Sequence, residues 1–197
     1  MLRRFITLLS IILILIPSAA AKEKEELKIG DPAPEFILKD ADDKEYSLKL
    51  LIEKDKELGK AVILMMGDRK VQKEANKWAT ELDKIYGKKK EVVLLMIADL
   101  RGLPFFVTEG MVKWGTKREK LPVPIVLDWK GKISKMYYKQ KGKVDIFVVD
   151  GEGKIAYHYV GSHSEEAIKK LTMKIQDMLK EKADSPKEDG SEEEKGA

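Results

Sequence analysis

The chain has 197 residues, 37% of them charged and 43% apolar, with a formal net charge of +4, which suits one globular domain with tails. It contains no cysteine, and this excludes disulfides, thiolate metal sites, CxxC redox chemistry and a cysteine nucleophile together. The mild basic excess permits an anionic partner, but no basic stripe interleaved with aromatics is present, so nucleic acid is not an expected partner.

Arg3 and Arg4 precede an apolar run from Phe5 to Ile16, broken only by Thr7 and Ser10, and then Pro17 and small residues at Ala19 and Ala21. A charged start, a short apolar middle and a small-residue site predict a signal peptide over residues 1–21, cleaved after Ala21. The run is shorter than the roughly 20 residues needed to span a hydrocarbon core, so no stable membrane anchor is expected after cleavage. Without a cysteine at that site a lipoprotein anchor is chemically excluded. A periplasmic or secreted location follows. Residues 22–180 then form one domain. From Glu181 the apolar residues thin out and seven acids face three bases, the composition of a disordered acidic tail over residues 181–197.

"DADDKE" from Asp40 has alternating oxygen donors, but Glu45 stands where a calcium loop needs its sharp-turn glycine. It is read as a hairpin turn, with no metal site. Val62 to Met66, Val92 to Ile97 and Ile146 to Val149 are continuous apolar runs, predicting strands covered on both faces. Between the first two, Val71, Ala75, Trp78, Ala79, Leu82, Ile85 and Tyr86 recur at helical spacing and predict an amphipathic helix. "LPFFVTEGMVKW" from Leu103 is unusually apolar for a connection. If Phe105, Phe106 and Trp114 are exposed they form a contact patch; the reading adopted is that most of them pack. Trp129, in a "DWKGK" turn, is the other aromatic candidate for exposure.

A further helix is predicted around Glu109 to Lys120. Asp150 and "GEG" at Gly151 to Gly153 predict a tight turn into an alternating strand through Ile155, Tyr157 and Tyr159. Ser164 followed by Glu165 and Glu166 predicts the start of a last helix with Ile168, Leu171, Ile175 and Met178 on its buried stripe. His158 and His163, the two histidines, supply too few ligands for a metal site and are expected at the surface. Neither has a legible nucleophile partner, which leaves a Ser–His–Asp hydrolase unsupported. The series predicts a three-layer α/β domain with a central mixed sheet flanked by helices.

Four blocks carry a resemblance. "IGDPAPEFILKDADDKEYSL" at Ile29 to Leu48 resembles the G-x-x-A-P-x-F-x-L opening hairpin of the redoxins, "AVILMM" the strand before their active site, "VPIVLDWKGKISKMY" the segment after their inserted helix, and "VDIFVVDGEGKIAYHYVG" their terminal hairpin. The order is similar to the thioredoxin-like fold, in the redoxin (AhpC/TSA, TlpA-like) superfamily. The last two blocks together most resemble the cysteine-poor exported YtfJ-type proteins. The resemblance implies an N-terminal β-hairpin extension to the fold. Aligned on Glu74, Asp68 stands where these enzymes carry the attacking cysteine and Val71 where they carry the resolving one. Val144 and Asp145 stand where they carry a cis-proline. A carboxylate cannot perform thiol–disulfide exchange, so no catalytic residue and no cofactor is implied.

What the turn "GDRK" does instead has two readings. A helix start offers unpaired N–H groups and a partial positive charge, and with Arg69 and Lys70 it could hold a small anion or an acidic group. Alternatively Asp68 caps the helix while Arg69 and Lys70 face water. The expected function is an exported non-catalytic protein that binds an envelope protein or a small anionic ligand at the vestigial active-site edge, formed by Gly67, Asp68, Arg69, Lys70, Val71, Val144 and Asp145. The rival is a non-redox enzyme using Asp68 and Arg69; a purely structural role is the third option.

Overall fold

The computed structural model describes residues 26–53, 61–137 and 140–184. The signal-peptide reading and the tail beyond Asp184 lie outside those residues. Two runs of apolar residues become the middle of the molecule. β3 (Ala61–Asp68) and β4 (Val92–Asp99) pair in parallel, and β5 (Ile125–Asp128) pairs in parallel with β4. β6 (Asp145–Val149) runs antiparallel to β3, and β7 (Ile155–Val160) antiparallel to β6, giving the order β5-β4-β3-β6-β7. β1 (Ile37–Lys39) and β2 (Glu45–Ser47) form the expected N-terminal hairpin. In its turn Asp40 Oδ1 accepts from the backbone N–H of Asp42 and Lys44.

Strand alternation divides the core into two layers. Ala61, Ile63 and Met65 share one layer with Trp78 and Leu82 of α2 (Gln72–Tyr86) and Leu171 and Ile175 of α5 (Glu165–Asp184). Val62, Leu64 and Met66 share the other with Phe36, with Leu48 of α1 (Leu48–Glu53), and with Ile133 of α4 (Lys132–Met136) and Tyr137. Trp78 is fully buried, so truncating it to alanine should cost about 3–5 kcal/mol in lost contacts and cavity.

Helix starts follow the expected chemistry: Ala167 N–H donates to Ser164 Oγ at 3.1 Å ahead of α5, and Met111 N–H to Thr108 Oγ1 at 3.3 Å in α3 (Glu109–Glu119). α5 continues through Asp184, past the point where residue composition marks the start of the tail. Neither histidine is a simple surface residue: His158 stacks on Phe147 and His163 sits edge-on to Trp78, in different core layers, so the two are not brought together. Among the described residues no helix is long and apolar enough to cross a membrane.

Candidate functional site

The three parallel strands each end on an aspartate, and Asp68, Asp99 and Asp128 are in register across the sheet. Each carboxylate satisfies backbone N–H groups that the chain would leave unpaired as it exits its strand. Asp68 Oδ1 accepts from Lys70 N–H (2.9 Å), and Asp99 Oδ1 from Arg101 N–H (3.0 Å). Asp128 accepts from Lys132 N–H and Ser134 N–H, both at 2.9 Å. Arg101 returns over this edge to hold Asp99 with its guanidinium, Nη2 to Oδ2 at 2.6 Å. The hydrogen bond to Asp99 raises the Arg101 pKa, with burial opposing and the charges of Asp99, Asp128 and Asp68 adding to the rise. The recurrence of Asp at the ends of "MMGD", "IAD" and "VLD" was a legible signal for this ladder, which sequence reasoning passed over.

At the β3–α2 turn, Asp68 caps the 3-10 turn Arg69–Val71, as the simpler of the two readings has it. Its second oxygen accepts from Gly142 N–H at 2.8 Å, tying down the loop before β6. At Gly67 the turn runs close to α2: a Cβ there would lie 3.1 Å from that of Ala75, a tight contact. Lys70 is exposed and Val71 packs on the α2 layer of the core. Val144 and Asp145 are each 1% exposed, and their placement on an accessible edge has to be corrected. Val144 belongs to the core layer that the sheet shares with α2 and α5, while Asp145 turns inward to His158 Nε2 (3.2 Å) and Gln140 N–H (3.2 Å).

The open side of the edge is the opposite one. A cavity of about 240 Å³ lies between the start of α2, the end of β4 and α3, and Gly67, Asp68 and Arg69 line it, together with Asp99, Met111 and Glu119 among others. α3 has no buried residue. It is held off the sheet by polar ties: Lys113 Nζ to Asp43 (2.7 Å), Lys117 Nζ to Asp42 (2.5 Å), and Glu119, whose carboxylate accepts from the side-chain amides of Gln72 and Asn76. The aromatic residues expected to pack do not. Phe105 is fully exposed, Phe106 and Trp114 are more than half exposed, and Arg118 lies 4.5 Å over the Trp114 ring. Among the described residues no group of three or more potential ligands is placed to hold a metal ion.

The AhpC/TSA family profile matches residues 29–158. Solved structures similar to this one include the C-terminal domain of a protein described as a thiol-disulfide oxidoreductase from Bacteroides thetaiotaomicron (24% identity, 78% of this chain and 97% of that one, TM-score 0.57). A thiol-disulfide oxidoreductase from Bacteroides fragilis is 21% identical over 75% of this chain and 99% of its own, with a TM-score of 0.54. Peroxidoxin BcpB from Mycobacterium tuberculosis is 18% identical over 82% and 100%, with a TM-score of 0.53. At these identities the likeness carries the fold and not the chemistry. No curated protein matches the chain in sequence.

Proposed function

The chain belongs to the AhpC/TSA family yet has no cysteine, and from that premise we propose that it is an exported, non-catalytic member that binds a partner or small ligand at the former redox edge. The observation that carries this reading is the cavity beside the β3–α2 turn, lined by Gly67, Asp68 and Arg69. Among the described residues Arg69 has no hydrogen bond or ion pair, so its guanidinium is available to an anionic group. Asp68 accepts from Lys70 N–H and Gly142 N–H with its two oxygens, which favours a structural role for this carboxylate over the enzymatic alternative.

The proposed export rests on the N-terminal charge and apolar pattern, and the proposed closeness to YtfJ-type proteins on the two C-terminal sequence blocks. The test is turnover by the purified full chain in disulfide-reduction and peroxide-consumption assays. Rates equal to the uncatalysed background are expected; turnover in either assay would overturn the reading.

A further inference from the structure

Arg69 and Glu119 face one cavity from two different elements, and neither has an oppositely charged partner among the described residues. The other carboxylates on the cavity are engaged, Asp68 by backbone N–H groups and Asp99 by Arg101. Glu119 is held only by neutral amides, and beside it Asn76 Oδ1 is buried with no donor among the described residues. Among the described residues the cavity wall therefore carries a carboxylate without a cation and a guanidinium without an anion.

Leu103 and Met111 supply apolar wall to the same cavity, and the methionine can adapt its shape to a small aliphatic group. Gly115 of α3 also lines the cavity, and a Cβ built there meets nothing within 4 Å. Packing does not demand a glycine in the middle of this helix, where glycine is the weakest helix former after proline. Its effect is to leave the cavity clear on the α3 side. The volume of about 240 Å³ equals that of about eight molecules of liquid water, enough for a ligand of roughly nine non-hydrogen atoms.

We propose that this cavity binds the zwitterion of a free aliphatic α-amino acid of leucine size, with its carboxylate on Arg69, its ammonium on Glu119 and its side chain against Leu103 and Met111. The proposal rests on reading this edge as a binding site and names the ligand class. Charge-assisted hydrogen bonds to both charges of the zwitterion supply orientation, and the apolar wall selects the side chain.

The test is calorimetric titration of the full chain with L-leucine, N-acetyl-leucine, which lacks the ammonium, and leucine amide, which lacks the carboxylate. Saturable binding of leucine is expected, weaker by about tenfold or more for either blocked probe and for Arg69→Gln or Glu119→Gln. Gly115→Leu should abolish binding while melting no lower than the parent, because the new side chain enters open space on a stronger helix former. Equal binding of the three probes, tighter binding of N-acetyl-leucine, no saturable leucine binding, or unchanged binding in Gly115→Leu would each overturn the proposal. If leucine fails to bind while a residue at position 69 still crosslinks to a protein, the ligand class falls and the binding-site reading stands.

Discussion

Asp68 and Gly142 are 74 residues apart in sequence and are joined by a hydrogen bond from the Gly142 N–H to Asp68 Oδ2 at 2.8 Å. The same carboxylate caps the turn that starts at Arg69. Asp68 is thus a structural tie between the β3–α2 turn and the loop before β6. Replacing Asp68 with alanine removes both bonds and should lower stability by about 1–3 kcal/mol. Asp68→Asn keeps one acceptor oxygen and should lose less. Urea unfolding of the two variants measures the difference.

A second tie is steric. Gly131 has φ +60°, and a Cβ added there would lie 2.0 Å from Arg101 Cδ. Gly131→Ala should therefore cost more than the roughly 1–2 kcal/mol of a left-handed backbone alone. Arg101→Ala should itself cost about 3 kcal/mol, because Asp99 is left buried without its cation. In the Arg101→Ala background the penalty of Gly131→Ala should shrink toward the backbone value. Additive losses in a double-mutant cycle would show that the two residues do not meet.

Stability should fall at alkaline pH. The Tyr137 hydroxyl donates to the Pro34 carbonyl at 2.7 Å. Burial, with the Glu35 charge adding to it, pushes its pKa well above the usual tyrosine value. Above pH ~10 the unfolded chain releases this proton while the folded one keeps it. The folded state then holds more protons, and stability declines as the pH rises. Tyr137→Phe should lose about 1 kcal/mol near neutrality, from the missing hydrogen bond, and decline less steeply above pH ~10. Thermal melts across the alkaline range test both effects.

The three tryptophans should divide by quenching. Trp78 is fully buried, Trp114 is 63% exposed and Trp129 is 37% exposed. Acrylamide should reach Trp114 most readily, and Trp114→Phe should remove the most quenchable part of the emission. A Trp114 signal as shielded as that of Trp78 would mean that α3 packs on the sheet after all.

Much of the fold was legible because its determinants are local or periodic. The runs from Val62 and Val92 became β3 and β4, the spacing from Ala75 to Tyr86 became α2, and Ser164 caps α5 as its residue type suggests. The site was less legible. Val144 and Asp145 do adjoin the turn, but their burial depends on the fit of the sheet to α2 and on His158, contacts that no local pattern encodes. Phe105 and Trp114 look like core residues by type. Both are exposed, Phe105 in the connection before α3 and Trp114 on α3 itself, whose Lys113, Lys117 and Glu119 pair with residues more than 40 positions away.

The most direct test of the binding-site reading is photo-crosslinking in the native cell from a reactive residue at position 69, with a control at exposed Lys169 on α5. The account predicts a discrete adduct, to a protein or to a small molecule detected by mass, from position 69 alone. Equal adducts from both positions, or none from position 69, would contradict it.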